Sequence, residues 1–211
     1  MKWISCLTNC NIPYYIYKLN RDDATIVYNK YNNQNQLIII LHGSIYAIKI
    51  FANKKITPVV VLGKDSIFST NRLSGHFYYK LIALEKTYII SLNINKVQKV
   101  TRSNTKLILK IIKSYQQTFS TYQIINEAMH QKYKKNRVFQ LILLIFFQFG
   151  TISRTEIKLP FKISQKNLAI ITGTNKETIN KIIKEIKKIS NIKHYRTKSI
   201  QLDNIFNLAQ Q

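Results

Sequence analysis

The sequence predicts an α+β protein, and three stretches of the chain carry this prediction. Between about Ile12 and Leu92, short runs of β-branched and aromatic residues alternate with Asn, Gly, Lys and Asp, which is typical of strands and turns. A helical period follows after Val100, and two short helical patterns meet near Gly173. The predicted domains are a strand-rich domain (1–100), a long helix with a hinge (101–135) and a helical domain with a terminal hairpin (136–211).

The strand-rich half is expected to form a sandwich or barrel. A turn at His42-Gly43-Ser44 joins its two most apolar runs. In the second run Tyr46, Ile48 and Ile50 would share one face toward the core, whereas Phe51 on the other face indicates that both faces are partly covered. Strands are predicted at 37–41, 45–51, 56–62, 77–84 and 87–92.

The long helix carries residues at alternating spacings of three and four, which is the pattern of a coiled-coil seam. We expect this helix to pair with its own copy. The alternative is a single amphipathic helix lying across the strands, because the seam contains a threonine and two tyrosines. The predicted seam consists of Ile108, Ile111, Tyr115, Thr118, Tyr122, Ile125 and Met129.

The stretch 164–189 has the pattern of a helix-turn-helix. Ser164 can cap the first helix, Ala169 is small enough for two helices to cross closely, and Gly173 supplies the positive φ of a tight corner. Thr174 and Glu177 have the spacing of a capping box for the second helix. The apolar run 138–150 is shorter than the ~20 residues of a bilayer span and predicts a buried helix before this motif.

The second helix of the motif is expected to face DNA. Its isoleucines, Ile179, Ile182, Ile183 and Ile186, form an apolar stripe, and lysine and asparagine occupy the opposite face. The alternative is an ordinary amphipathic helix pair with a solvated basic face. A basic hairpin at 191–202 would act as a wing on the phosphate backbone. The predicted DNA contacts are Ser164, Gln165, Thr174, Asn175, Lys176, Glu177, Thr178, Asn180, Lys181, Lys184, Arg196 and Lys198.

The charge of the chain supports a polyanionic partner. Its 33 basic and nine acidic side chains give a net charge of +24 over 211 residues. Residues 1–100 carry 13 basic and four acidic side chains, whereas residues 101–211 carry 20 and five. The half that contains the predicted helix-turn-helix is therefore the more basic one. An RNA-binding protein would show the same balance, and AT-rich coding alone would inflate lysine.

The cysteines and histidines indicate no metal site. Cys6 and Cys10 are expected to be free thiols, since no further cysteine completes a cluster, and the four histidines are scattered.

The N-terminal stretch lacks the features of a signal or transit peptide, so we expect the protein to work where it is made. No catalytic constellation appears in the sequence, so no enzyme is predicted.

In this order of elements the chain resembles the CRP/FNR family of bacterial transcription regulators. The segment 37–51 resembles the strand-Gly-strand segment of the family's cyclic-nucleotide-binding-like β-roll, and the seam helix resembles its dimerisation helix. Residues 136–150 and 163–186 resemble its winged helix-turn-helix. GKDSIF (63–68), Arg137 and Phe149-Gly150 are most similar to the NtcA-like branch, the global nitrogen regulators of cyanobacteria with counterparts encoded in red-algal plastids.

The resemblance implies roles for individual residues. The base-reading positions of the family's recognition helix match Lys176, Glu177 and Lys181, and lysine replaces arginine at two of them. Lysine keeps the charge but loses the bidentate fork toward guanine, so a weaker or shifted sequence preference is expected. Glu177 can accept from cytosine N4.

The resemblance also implies an effector pocket, here Phe68, Arg72, His76, Phe77, Thr118 and Gln123. The two arginines that hold 2-oxoglutarate in the nitrogen regulators match Phe77 or His76 and Thr118, so 2-oxoglutarate remains only a possible effector. The cyclic-nucleotide cassette is absent from 63–80, so cAMP is not expected, and two cysteines are too few for an iron-sulfur centre.

The resulting expectation is a homodimeric, sequence-specific DNA-binding transcription regulator, with nitrogen regulation as its implied role. Duplex DNA with a palindromic site, RNA polymerase and a second copy of the chain are the expected partners, the plastid stroma is the expected location of a plastid-encoded copy, and no membrane association is expected. The alternatives are a basic RNA-associated protein and a ligand-binding module with vestigial DNA contacts.

Overall fold

The computed structural model describes residues 2–27, 36–69, 77–101, 104–153, 156–161, 163–189, 192–194 and 200–203. The chain forms two compact units, Met1–Tyr122 and Gln123–Gln211. The boundary between them lies within the longest helix, whereas the sequence placed that helix in a segment of its own. The predicted α+β class is confirmed.

The N-terminal unit is built on two antiparallel four-stranded sheets, with the strand orders β1-β8-β3-β6 and β2-β7-β4-β5. The five strands that the sequence predicted are all present, with ends within one residue of the predicted bounds. The strands are β1 (Tyr14–Leu19), β2 (Ala24–Val27), β3 (Gln36–His42), β4 (Ile45–Phe51), β5 (Ile56–Leu62), β6 (Ile67–Ser69), β7 (Phe77–Ala83) and β8 (Thr87–Asn93).

Strand β4 is central, because β5 and β7 pair with its two edges. Its residues from Ile45 to Ile48 are all buried, with at most 3% of each exposed. Successive side chains of a strand point to opposite faces, so both faces of β4 are covered at this end. This confirms the covering of both faces that the apolar character of this strand predicted.

The turn between β3 and β4 depends on Gly43, which has a φ of +85°. A Cβ atom at this position would overlap the hydroxyl of Thr87 and lie 2.8 Å from the carbonyl oxygen of Lys86. The adjoining main chain is also tied to this neighbour, since the Thr87 hydroxyl lies 3.2 Å from both the amide nitrogen and the carbonyl oxygen of Ser44. The two hairpin turns therefore approach too closely for any side chain at Gly43.

An N-terminal helix that the sequence analysis did not predict, α1 (Lys2–Asn9), packs into the main core. Its Trp3 and Leu7 are only 2% and 1% exposed and join Ile12 and the core residues of β3 and β8. The Trp3 indole Nε1 donates to Asp65 Oδ1 at 3.0 Å, and the Lys110 ammonium lies 4.1 Å from the ring centroid. With only two turns, α1 shows too little periodicity to be recognised against its strand-rich surroundings.

Helix α2 (Ile94–Thr101) leads into the long helix α3 (Thr105–Met129). Asn104 begins α3 as a cap, because its side-chain oxygen accepts from the Leu107 amide at 3.0 Å. Its side-chain nitrogen lies 3.1 Å from Cys10 Sγ. The start of α3 is thus tied to the segment that follows α1.

Helix α3 turns much of its predicted seam inward, against the protomer's own β-roll. Ile111 and Tyr115 pack on the main core, and the Thr118 hydroxyl accepts from the Ile67 amide at 2.9 Å. These three side chains contact the core and the junction with β6 within the protomer, as expected for an amphipathic helix lying across the strands. Their assignment to a seam between copies stays a prediction.

The C-terminal unit places two helices of a helix-turn-helix beside a small sheet. Helix α4 (Lys134–Phe149) buries Val138, Leu141, Ile142, Ile145 and Phe146, which confirms the predicted buried helix. Among the described residues, no helix is long and apolar enough to cross a membrane. The other elements are β9 (Thr151–Ser153), β10 (Glu156–Lys158), α5 (Gln165–Ile171), α6 (Lys176–Ile189), β11 (Ile192–His194) and β12 (Ile200–Asp203).

Candidate nucleic-acid interface

Helix α5 begins at the cap that the sequence predicted. The Ser164 side chain accepts from the Asn167 amide at 3.0 Å, and Ser164 itself has an extended conformation. Leu168 and Ala169 are buried, with 0% and 5% of each exposed. The small Ala169 therefore lies in the interior of the helix pair, as expected for two helices that cross closely.

The corner between α5 and α6 is closed by local hydrogen bonds. Gly173 adopts the predicted positive φ, +62°. The Thr174 amide donates to the Ala169 carbonyl at 2.8 Å. The Thr172 hydroxyl lies 2.7 Å from the Leu168 carbonyl and 2.9 Å from the hydroxyl of Thr174. All of these bonds join residues no more than five positions apart, so the corner is defined by its own short sequence.

The predicted capping box at the start of α6 is wrong, because Asn175 caps this helix. Its side-chain oxygen accepts from the Thr178 amide at 2.7 Å, and its carbonyl accepts the first helical bond, from Ile179, at 3.1 Å. Thr174 lies one residue before this cap position, so it cannot form a capping box with Glu177, and its hydroxyl lies close to that of Thr172 instead. Glu177 is exposed and has no capping task.

Helix α6 has one face in the interior and one face outside. Ile179, Ile182 and Ile183 are buried, with 0%, 6% and 6% of each exposed. On the opposite face Lys176, Glu177, Lys181 and Lys184 are exposed and Asn180 is half-buried. At 14 residues the helix is about 21 Å long. The outer face of α6 therefore presents ammonium, amide and carboxylate groups side by side along the helix.

The remaining predicted DNA contacts lie at the corner or in the C-terminal hairpin. Asn175 is exposed, whereas Ser164, Gln165, Thr174 and Thr178 are half-buried. Strands β11 and β12 pair antiparallel, with His194 opposite Ile200, which confirms the predicted pair of short strands. They belong to a four-stranded sheet with β9 and β10, a hairpin that the sequence analysis did not predict. Arg196 and Lys198 lie outside the described residues.

The predicted effector pocket is occupied by aromatic rings in the part that the structure describes. Phe68 is only 8% exposed, and its ring centroid lies 5.2 Å from that of Tyr79. Tyr79 in turn lies 5.7 Å from Phe77, and Phe77 lies 5.9 Å from Phe51. We call Phe51, Phe68, Phe77 and Tyr79 the aromatic cluster. Arg72 and His76 are outside the described residues.

The aromatic cluster is partly withdrawn from water, with Phe68 buried and the other three rings half-buried. Burial, together with the neighbouring Tyr122, raises the pKa of the Tyr79 hydroxyl. The ammonium of Lys49 lies 3.6 Å from the centroid of Phe77, so this charge is already engaged with an aromatic face. Sequence reasoning missed Lys49, Phe51 and Tyr79. The pairing of β4 with β7 brings them together, because it sets Lys49 opposite Tyr79 and Phe51 opposite Phe77, and the sequence alone carries no signal of this register.

Thr118 lies beside the aromatic cluster but uses its hydroxyl for the protein itself. The hydroxyl donates to the Ser114 carbonyl at 3.0 Å and accepts from the Ile67 amide at 2.9 Å. At the preceding position of α3, Gln117 Nε2 lies 3.5 Å from the Lys64 carbonyl oxygen. Gln123, the last predicted pocket residue, is exposed. At the junction of α3 with β6, side chains of α3 therefore bond directly to the main chain of β6 and of the turn before it.

The two cysteines are free thiols, as the sequence predicted. Burial and the adjacent Cys6 raise the pKa of the Cys10 thiol. Within the described residues, no group of three or more His, Cys, Asp or Glu side chains is placed to hold a metal ion. Among the histidines, the His130 ring Nδ1 lies 2.7 Å from the Asn126 carbonyl, one helical turn away.

No family model matches the sequence. Among individual proteins, the chain is 26% identical over 185 residues to a protein named as an HTH-type transcriptional regulator, ycf28, of Porphyra purpurea, covering 87% of this chain and 76% of that protein. It is 20% identical over 181 residues to the global nitrogen regulator of a Synechocystis strain, covering 83% of this chain and 80% of the regulator.

Solved structures share the fold at low sequence identity. A cyclic nucleotide-binding domain containing protein from Listeria monocytogenes has a TM-score of 0.77 and 14% identity, with 96% of this chain and 98% of that chain covered. A CRP/FNR family transcriptional regulator from Thermus thermophilus has a TM-score of 0.68 and 16% identity, with 93% and 97% covered. The match extends over both units, from the β-roll to the helix-turn-helix.

Proposed function

We infer that this chain, whose fold and relatives are those of CRP/FNR-type regulators, is a DNA-binding transcription regulator and not an enzyme. The observation that carries the inference is the exposed face of α6. Behind a corner closed by its own hydrogen bonds, this helix buries its isoleucines and presents Lys176, Glu177, Lys181 and Lys184 to solvent. A protruding helix of this kind fits the major groove of duplex DNA.

The chemistry of α6 supports reading of bases as well as contact with phosphates. The Glu177 carboxylate is exposed at the N-terminal end of the helix, where the first residues of a recognition helix meet base edges, and it can accept from cytosine N4. Lys176 and Lys181 flank it in sequence and can donate to guanine or to phosphate oxygens. We propose that Glu177 contributes mainly to sequence preference and that the lysines contribute mainly to affinity.

We propose that the protein acts as a homodimer through the outward face of α3. Leu109, Ile112 and Phe119 are 62%, 46% and 62% exposed and lie at spacings of three and seven, which keep them on one side of the helix. This exposed row is displaced by one residue from the predicted seam, whose Ile111, Tyr115 and Thr118 are used within the protomer. The two recognition helices of such a dimer would enter successive major grooves, about 34 Å apart.

Selection from a pool of randomised DNA duplexes, followed by binding titrations, tests the DNA-reading role. We expect enrichment of a palindromic pair of half-sites. For the selected site, Lys181→Gln should weaken binding and reduce the slope of log affinity against log salt by about 0.9 if it neutralises one phosphate. Lys54→Gln, at an exposed turn of the β-roll, is the charge-matched control.

The same titrations separate the rival functions. Enrichment of no sequence at all, or binding of structured RNA in preference to the selected duplex, would contradict a sequence-specific DNA regulator. Glu177→Ala is expected to change which bases are enriched while leaving the salt slope in place. An unchanged selected site would remove Glu177 from base reading.

Analytical ultracentrifugation tests the dimer face. Phe119→Ala is expected to weaken dimerisation at least tenfold, because the largest apolar side chain of the proposed interface is removed. Tyr133→Ala, at an aromatic residue that is also 63% exposed, should leave dimerisation unchanged. If Ile108→Ala separates the copies and Phe119→Ala does not, the seam lies where the sequence first placed it.

We propose that 2-oxoglutarate, if it acts here, binds more weakly than in proteins that hold it with two arginines. The described part of the pocket offers the aromatic cluster and the engaged hydroxyl of Thr118 instead of guanidinium groups. Calorimetric titration with 2-oxoglutarate and with cAMP tests this, and submicromolar binding of either ligand would contradict it.

Nitrogen control, contact with RNA polymerase and a plastid location complete the proposal. They rest on the global nitrogen regulator and the red-algal ycf28 protein to which the chain is similar. Mapping the coding sequence to a plastid genome tests the location. Transcription of the genes next to the selected sites, measured with and without ammonium, tests nitrogen control.

A further inference from the structure

A cavity of about 770 Å³ opens between helix α1 and the sheet that contains β1, β3 and β8. Its apolar walls come from Trp3 and Ile4 of α1, Ile16 of β1 and Leu41 of β3. Pockets that hold small molecules have volumes of about 300–1,000 Å³ and mostly apolar linings. None of the described cavity residues belongs to the predicted effector pocket, so the two are treated as separate features.

The walls of this cavity are fixed by packing and hydrogen bonds. Trp3 is 2% exposed and donates from its indole nitrogen to Asp65 at 3.0 Å. The Asp65 amide donates to the Ile40 carbonyl at 2.8 Å, which ties the β5–β6 turn to β3. The cavity therefore exists between elements that are each anchored to the main core, and a ligand would enter a site that is already formed.

The polar groups at the cavity include several donors for an anionic headgroup. His42, Lys64 and the Tyr88 hydroxyl can donate hydrogen bonds, whereas Asp65 keeps its negative charge while one of its oxygens accepts from Trp3, so a headgroup would be held by Lys64 and not by Asp65. Lys64 is exposed and makes no ion pair with any described residue. Apolar walls with one ammonium group at the margin complement a ligand that has an apolar body and a single negative charge.

We propose that this cavity binds an amphiphilic monocarboxylate, such as a medium-chain fatty acid, with the acyl chain against Trp3, Ile4, Ile16 and Leu41 and the carboxylate at Lys64. The proposal does not rest on DNA binding. The site is connected to the long helix through Trp3, because the Lys110 ammonium of α3 lies 4.1 Å from the centroid of the Trp3 ring that lines the cavity. A bound acyl chain would press on the same ring.

Trp3 is the only tryptophan of the chain, so its fluorescence reports on this cavity directly. We expect hexanoate, octanoate and decanoate, each titrated below its micelle concentration, to change the Trp3 emission with saturation at one ligand per protomer. Each added methylene should tighten binding about fourfold. Acetate should give no change, because it has no chain to bury.

Three variants of the full chain assign the contacts. Lys64→Gln should weaken decanoate about fivefold and leave decanol unchanged, and Lys54→Gln should leave both unchanged. Ile16→Phe fills the mouth of the cavity from a residue that is 46% exposed, and should weaken both ligands at least tenfold without lowering the thermal midpoint.

Emission that does not respond to decanoate overturns the proposal. The same holds if affinity is independent of chain length or if Lys64→Gln and Lys54→Gln behave alike. Because these measurements contain no DNA, their failure would leave the regulator function untouched, and failure of the DNA selection would leave the cavity untouched.

Discussion

Among the described residues, Gly43 in the β-roll and Gly173 in the helix-turn-helix are the glycines with a positive φ, and they are required for different reasons. At Gly43 a Cβ would overlap Thr87, whereas at Gly173 the nearest atom to a Cβ would be Met129 Cε, at an ordinary 3.7 Å. The first turn lacks space for a side chain, and the second requires only a left-handed backbone. Long-range packing thus determines the turn in the roll, and local geometry determines the corner.

The largest effect is expected from Gly43→Ala. A left-handed conformation costs a residue with a Cβ about 1–2 kcal/mol, and the overlap with Thr87 and Lys86 adds a packing cost, so we expect a loss of about 3 kcal/mol or more in the free energy of unfolding. Urea denaturation measures it. A loss below about 1 kcal/mol in the free energy of unfolding would show that the two hairpin turns can move apart to accommodate a side chain.

The second largest effect is expected at another long-range contact of the β-roll, the hydrogen bond from the Ile67 amide to the Thr118 hydroxyl. Thr118→Val keeps the shape of the side chain but leaves the Ile67 amide without its acceptor, which is expected to cost about 2 kcal/mol of unfolding free energy. Thr118→Ser should restore most of the loss, since it returns the hydroxyl. If valine and serine are equally stable, the junction depends on packing alone.

A smaller effect is expected from Gly173→Ala, because only the backbone preference is lost. We expect a cost of about 1–2 kcal/mol in urea denaturation. Gly173→Asn should cost less than Gly173→Ala, as asparagine tolerates the left-handed region. Equal losses at Gly43 and Gly173 would erase the distinction between the two turns.

The smallest effect tests the cap of α6. Asn175→Ala removes the acceptor of the Thr178 amide and should cost about 1 kcal/mol of unfolding free energy, whereas Asn175→Ser should be nearly neutral. Glu177→Ala is the matched control, with an expected cost of at most about 0.5 kcal/mol from its interaction with the helix dipole. The opposite order of the alanine variants would restore Glu177 as a capping residue.

The same contrast between local and long-range contacts separates the features that the sequence predicted from those that it did not. Strand β4, the cap at Ser164 and the corner at Gly173 were all predicted, because each depends on residues close together in the chain. The capping box failed by one position, since Thr174 and Asn175 are both good caps and only the backbone decides which side chain reaches the amide.

Contacts between distant residues were not predictable in the same way. The contacts of Ile111, Tyr115 and Thr118 within the protomer were not predicted, because periodicity shows that a helix has an apolar face but not which surface covers it. Thr118 meets Ile67 across 51 positions, and Trp3 meets Asp65 across 62. The aromatic cluster likewise needs the register of β4 against β7, which a single sequence does not supply.

The cap at Asn175 has an evolutionary consequence. Had Glu177 closed the helix, any replacement would have had to preserve both the fold and the recognised base. With the cap at Asn175, two positions before it, the Glu177 carboxylate can be exchanged at little cost in stability. Under the base-reading role proposed for Glu177, operator preference would drift by single substitutions at this residue while the folded framework stays the same.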